Sequence, residues 1–198
     1  MTEFLKFVMD VRRLEGIERC SNTPHIHKSY VSSHSYYVAL YSMLFADIEN
    51  SNSDIHIYDT SEVIKKALIH DLEESITGDI LFPFKKSNED YLKPQIQKIV
   101  NEELFYGIPN SDIKFYYKFL WNTSKDNSRE GIMVAAMDKF EILIYSLAEL
   151  LLGNKQFILI YETALDILRN KFQTISSLQD ILDEIEKEVN DKRLLSVQ

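Results

Sequence analysis

The chain is poor in the residues that interrupt helices. It holds five glycines and four prolines in 198 residues, against usual shares of roughly 7% and 5%. Turns and strands consume both types and long helices avoid them, so the deficit points to an all-α fold. Cysteine is nearly missing as well. Cys20 stands alone, which excludes an internal disulfide and fits a reducing compartment. Basic residues are outnumbered 22 to 31, for a net charge of −9. That balance argues against a nucleic-acid polymer or a membrane surface as partner, since both need a basic face. A small anionic substrate is compatible with it, because a metal ion and a few local cations can dominate the field inside a cleft. Long apolar runs are lacking too. The stretch from Ile142 to Leu152 is interrupted by Glu149 and is too short to span a bilayer, and Met1 to Arg13 holds no apolar core of signal-peptide length. A cytoplasmic protein is expected.

What is present is ordinary for a folded chain: 45% hydrophobic and 27% charged residues. Helical spacing of apolar residues predicts an opening helix over 2–13 (Phe4, Leu5, Val8, Met9), then an irregular segment over 16–32. The spacing resumes at Ser33, through Tyr37, Val38, Tyr41, Leu44 and Phe45, and ends near Ile48 before a polar surface loop over 49–54. A capped start at Asp59 to Glu62 opens a helix to about Ser75. Thr77-Gly78-Asp79 breaks it, and an irregular segment with Pro83 follows. Further helices are predicted over about 90–106, 111–122, 128–152, 155–172 and 178–193, with stops at Gly107-Ile108-Pro109-Asn110 and Gly153-Asn154. Ile181, Leu182, Ile185 and Val189 form the packing stripe of the last helix, and its acidic residues a solvated face. The expectation is one domain over 1–198, a bundle of about seven or eight helices with its core at about 4–172 and a C-terminal helix at about 178–193.

Against this pattern His70-Asp71 stands out, at the end of the apolar stretch Val63, Ile64, Ala67, Leu68, Ile69. An imidazole and a carboxylate at the end of a buried helix are costly unless something there needs them. A divalent cation is the usual need. Two neighbours cannot close such a site, but His34, at the start of one helix, and Asp138, inside the apolar stripe of the long helix from 128, offer further donors. Together the four make an N2O2 set that leaves room for water on an octahedral ion. On the residues alone, this grouping competes with four separately satisfied core side chains.

The order and spacing of the residues resemble a known pattern. His34, then His70-Asp71, then a lone Asp138 is similar to the H…HD…D signature of the HD-domain phosphohydrolase superfamily. Within it, His70-Asp71-Leu72-Glu73-Glu74-Ser75-Ile76-Thr77-Gly78-Asp79 resembles the H-D-x-x-E-x-x-T-G-D run of the YfbR-like 5′-deoxynucleotidases, and Pro83-Phe84-Lys85 their P-x-K. Arg19 stands fifteen positions before His34, as the phosphate-side arginine of that family does, and Glu149-Leu150 through Gly153-Asn154 resembles its E-L-x-x-G-N. The likeness spans about residues 4–160.

The resemblance implies an HD domain that is a metal-dependent phosphohydrolase of deoxynucleoside 5′-monophosphates and forms homodimers. It implies His34, His70, Asp71 and Asp138 as metal ligands and Glu74 as the carboxylate that handles the attacking water. It implies Arg19 and Lys85 on the phosphate, Asp79 on the sugar, and Thr77 as a further substrate-binding residue. Cobalt or manganese is the implied ion, with zinc, magnesium and nickel as alternatives. Cys20 stands where the family carries tryptophan, removing a large nucleotide contact, and Ser33 replaces an acidic residue before the first ligand histidine. Two other readings follow: a triphosphohydrolase of deoxynucleoside triphosphates on the same site, or a non-catalytic helical module that keeps the metal for structure. His25 and His27, alternating in an extended segment, and His56, in a polar loop, are given no role, and Asp126-Asn127-Ser128 is read as a solvated face.

Overall fold

Side-chain caps begin four of the α-helices among the described residues. The computed structural model describes residues 2–195. The first helix, α1 (Glu3–Val11), is capped by the Thr2 hydroxyl, which accepts from the Leu5 amide, and it tightens into a 3₁₀ turn over Arg12–Gly16. The segment that follows is irregular, as expected, apart from one antiparallel bridge between Glu18 and Tyr30. The second helix, α2 (Val31–Ser51), is longer at both ends than the pattern suggested. At its start the Ser33 hydroxyl accepts from the Tyr30 amide and donates to the Tyr30 carbonyl.

At the far end of α2 the predicted surface loop begins later, at 52, because Glu49 to Ser51 belong to the helix. Glu49 is buried, and its carboxylate accepts from the Ser177 amide at 2.8 Å and from the hydroxyls of Ser176 and Ser177. It thereby satisfies the free N–H end of the C-terminal helix α10 (Ser176–Asp191). A polar run was read as solvent-facing because its partner lies more than a hundred residues away.

Helix α3 (Thr60–Ile69) is capped by Asp59. The prediction of one continuous helix to Ser75 is corrected: after Ile69 the bonds shorten from i−4 to i−3 (Leu72 to Ile69, Glu74 to Asp71, Ser75 to Leu72). The chain resumes as the short α4 (Glu74–Thr77). Gly78, at φ +72°, ends it in a conformation that side chains rarely adopt. Pro83 lies not in an irregular segment but in the first turn of α5 (Phe82–Ser87), where a missing N–H costs nothing. Next come α6 (Glu89–Ile99), which widens into a π turn over Val100–Leu104, and α7 (Ser111–Asn122), capped by Asn110. Ser128 caps the long α8 (Arg129–Leu151), and α9 (Ile158–Lys171) follows a 3₁₀ turn over Lys155–Phe157. All eight expected helices are present in this all-α bundle, with α4 and α5 as short additions.

Asp126 is partly exposed, in keeping with a solvated face, yet its carboxylate is engaged. It accepts from the Ser128 amide and hydroxyl and pairs with Lys66, whose side chain is almost wholly buried. A Cβ on Gly131 would stand 2.3 Å from the Asp126 carboxylate, so only glycine lets the 123–128 turn fold back on α8. Among the described residues no helix is long and apolar enough to cross a membrane.

Two apolar clusters result. The larger joins α2, α3, α8, α9 and α10 through residues such as Val38, Ala67, Met137, Leu168 and Leu182; the smaller joins Leu14, Val31, Ile69, Leu72, Val100 and Leu120. His34 lies between Val31 and Val38, and His70-Asp71 between Ile69 and Leu72. The seam between the clusters is where these polar side chains gather.

Candidate metal centre

Three elements bring the four expected donors together: α2 carries His34, the tight turn after α3 carries His70 and Asp71, and α8 carries Asp138. His34 Nε2 lies 3.3 Å from His70 Nε2, 3.2 Å from Asp138 Oδ1 and 3.5 Å from Asp71 Oδ2, and His70 Nε2 lies 3.0 Å from Asp71 Oδ2. All four residues are buried. His70 Nδ1 sits 2.6 Å from the Ala67 carbonyl and donates to it, so the Nε2 lone pair faces the cluster. Two imidazole nitrogens at 3.3 Å, both ringed by carboxylate oxygens, repel unless a positive charge lies among them. Two nitrogens and two oxygens converging this closely suit a divalent cation of the first transition row.

His34 is oriented from behind by a residue that sequence reading missed. Glu141 Oε2 lies 2.6 Å from His34 Nδ1, one turn along α8 from Asp138. Ser33 is occupied in starting α2, and the carboxylate behind His34 is that of Glu141. Burial and the Arg19 charge work against protonation of His34, but Glu141, Asp138 and Asp71 outweigh them and push its pKa up to about 10. A cation entering the donor set takes the place of that proton. Burial lowers the pKa of His70, while Asp71 and Asp138 are held well below the carboxylate range, against burial, by His70 and Lys125 in the first case and by Lys125 and Lys139 in the second.

Glu74 is buried beside these donors, with its carboxyl, that of Glu73 and that of Asp71 forming a tight group. Burial, then repulsion from Asp71, Asp79 and Glu73, raises its pKa to about 9. Glu73 was given no role; it accepts from Trp121 Nε1 at 2.7 Å, and burial lifts it to about 7. Arg19 has a buried Nη1 without a hydrogen-bond partner. Its charge is reinforced by Glu141, Asp138, Asp71 and Glu74 despite burial, so a strong planar donor faces the acidic site with an N–H to spare. Cys20, at φ +52°, packs on the edge of the larger apolar cluster, with its thiol within electrostatic reach of Arg19, Asp79 and Glu141.

Asp79 follows Gly78 and contributes to the charge felt by Glu74. The Thr77 hydroxyl donates to the Gly78 carbonyl at 2.9 Å, leaving its lone pairs for a ligand. Lys85, partly exposed on α5, makes its charge felt at Glu73. His25 is held by Glu18 and the Thr23 carbonyl, outside the cluster. Two lysines not anticipated lie against the aspartates: Lys125 Nζ is 2.8 Å from Asp138 Oδ2 and 3.3 Å from Asp71 Oδ1, and Lys139 Nζ is 3.3 Å from Asp138 Oδ2. The motif residues Glu149 and Asn154 serve the fold: Glu149 accepts from the amides of Ile26 and His27 and from Asn154 Nδ2, tying the 20–30 segment to α8.

The chain is similar to known proteins over most of its length. The family described as YfbR-like 5′-deoxynucleotidase matches residues 6–194. A 5′-deoxynucleotidase of Pectobacterium atrosepticum is 29% identical over 157 residues, covering 77% of either chain. One from Dictyostelium discoideum is 29% identical over 148 residues, covering 73% of this chain and 76% of its own. Among solved structures, an HD-domain phosphohydrolase of Listeria innocua superposes with a TM-score of 0.77 at 22% identity, over 96% of this chain and 91% of that one. The HD phosphohydrolase DatZ of cyanophage S-2L, bound to dA and one catalytic zinc ion, superposes with a TM-score of 0.59 at 16% identity, over 90% and 96%. At these identities the two structures are likenesses of fold.

Proposed function

The chain belongs to the YfbR-like 5′-deoxynucleotidase family and is a metal-dependent hydrolase, and on that premise we propose how its residues divide the work. The reaction is hydrolysis of a deoxynucleoside 5′-monophosphate to the deoxynucleoside and orthophosphate. His34, His70, Asp71 and Asp138 hold one divalent ion. When bound, that ion supplies Lewis-acid activation of water and charge stabilisation at phosphorus. Burial and repulsion from Asp71 raise the pKa of Glu74, and a dication held by Asp71 would offset that repulsion and favour the carboxylate form. In that form Glu74 accepts a proton from the attacking water as the new P–O bond forms. It passes that proton to the departing 5′ oxygen as the old bond breaks. Arg19 takes up the charge of the phosphoryl oxygens, Lys85 adds a point charge, and Asp79, with Thr77, holds the deoxyribose hydroxyl.

The observation that carries this reading is the convergence of four buried donors next to an arginine with an unused, buried N–H. Cobalt or manganese is the proposed ion by family likeness; the zinc of the cyanophage protein supports keeping zinc in the set to be tested. We further propose one HD domain over the whole chain, a cytoplasmic location and a homodimer. The exposed apolar side chains of α1 (Phe4, Leu5, Val8, Met9) and α7 (Ile113, Phe115, Phe119) support a second copy as partner.

The test is a screen of purified protein, with cobalt, manganese, magnesium and zinc in turn, against mono- and triphosphates of ribo- and deoxynucleosides. Orthophosphate from deoxynucleoside monophosphates is expected. The smaller Cys20 in place of tryptophan favours a second reading, hydrolysis of triphosphates, and tripolyphosphate as product would establish it instead. Equal rates on ribo- and deoxynucleotides would remove Asp79 from its role.

A further inference from the structure

We infer that Lys125 is a positioning residue that holds Asp71 and Asp138 to one ion-facing oxygen each, and so selects which divalent ions the centre accepts. The inference rests on the four-ligand reading above.

Each aspartate is divided between two neighbours. Asp71 turns Oδ2 to the two histidines and Oδ1 to Lys125. Asp138 turns Oδ1 to His34 and Oδ2 to Lys125. Lys139 also touches Asp138 Oδ2, but Lys125 is the cation seen to bridge both carboxylates among the described residues. A single ammonium thereby fixes the rotation of two side chains that arrive from different elements.

The turn that carries Lys125 is built to hold it there. The Ser124 hydroxyl donates to the Trp121 carbonyl at 2.8 Å on one side of Lys125, and on the other Asp126 is tied to Ser128 and the buried Lys66. Gly131 lets this turn lie flush on α8. The Lys125 side chain itself is one-third exposed, so it is not core packing.

The consequence for ion choice is geometric. Zinc and its first-row neighbours are satisfied by single carboxylate oxygens at about 2.0–2.2 Å. Calcium takes six to eight oxygens and commonly both oxygens of a carboxylate. With the second oxygen of each aspartate bonded to Lys125, a calcium ion loses the bidentate contacts it needs. The ammonium also lowers the net negative charge of the centre, which weakens every dication alike; the selective part is the loss of bidentate geometry.

The experiment compares the full-length protein with Lys125→Gln, Lys125→Met and Lys125→Arg. Affinities for cobalt and for calcium are measured by calorimetry, and the visible absorption of the cobalt-loaded protein is recorded. In the two neutral variants the preference for cobalt over calcium is expected to fall on the order of tenfold or more, the size of one charge-assisted hydrogen bond. The cobalt bands are expected to shift as carboxylate oxygens join the ion, and Lys125→Arg should retain the parent behaviour. An equal change in both affinities, or none, with an unaltered cobalt spectrum, would overturn the inference while leaving the four-ligand centre standing. Failure of the parent protein to bind any divalent ion would overturn both. Circular dichroism of each variant establishes that it is folded, and the methionine variant removes any hydrogen bonding by the glutamine amide.

Discussion

His34 and Glu141, 107 residues apart, meet at 2.6 Å inside the bundle, with the imidazole wholly buried. The carboxylate accepts from Nδ1 and leaves Nε2 for the ion, the arrangement by which an outer carboxylate fixes the tautomer and raises the basicity of a ligand histidine. Glu141→Gln keeps an acceptor but removes its charge. The expected outcome is a divalent-ion affinity lowered roughly 10- to 100-fold, with turnover partly restored at high metal concentration. Calorimetric titration beside a metal-dependence curve measures both.

Glu74→Gln separates chemistry from binding. Its amide can still hold water but cannot exchange a proton, so turnover is expected to fall by about 10²- to 10⁴-fold. Metal content per chain, measured by elemental analysis, should match the parent. Retained turnover would assign the proton step to another group.

Arg19→Gln removes the planar cation whose Nη1 is buried without a partner. The expected loss in kcat/KM for the monophosphate is roughly 10²-fold, comparable to removing one preorganised donor from a developing oxyanion. Inhibition by orthophosphate should weaken in parallel, which steady-state kinetics with added phosphate would reveal.

Glu149 serves stability rather than chemistry. Burial works against its carboxylate, but the Ile26 amide, Asn154 and the His27 amide outweigh burial and lower its pKa. A group with a depressed folded pKa contributes stability that is present above its unfolded value, near 4.5, and is lost as pH falls through the folded value. Glu149→Gln is therefore expected to cost about 1.5–3 kcal/mol at pH 7, the worth of hydrogen bonds to a charged acceptor. The gap to the parent should narrow below about pH 4. Urea unfolding at a series of pH values would measure it.

The candidate donors were legible because of what each one interrupts. His70-Asp71 ends an apolar stretch and Asp138 breaks an apolar stripe, and both anomalies mark sites where a buried charge has a partner. The helices were legible from periodicity to within a few residues, as with Ser111–Asn122. What stayed hidden depends on distant contacts. Glu141 looks like any acid on a helix until α2 brings His34 against it. Lys125 lies in a polar turn that reads as solvated, and Glu49 in a polar run that reads as a loop, although one bridges two aspartates and the other caps α10. The break at His70 was missed because the local pattern is helical throughout, whereas the bonding contracts to i−3 just where two neighbouring residues both turn inward.

The claim on which the rest stands is that one divalent ion is held by residues from α2, the turn after α3, and α8. Anomalous diffraction at the cobalt absorption edge, from crystals of the protein grown with cobalt, tests it most directly. The account requires one strong peak per chain, about 2.0–2.2 Å from His34 Nε2, His70 Nε2, an oxygen of Asp71 and an oxygen of Asp138. A peak elsewhere, or none among these four side chains at saturating cobalt, would contradict it.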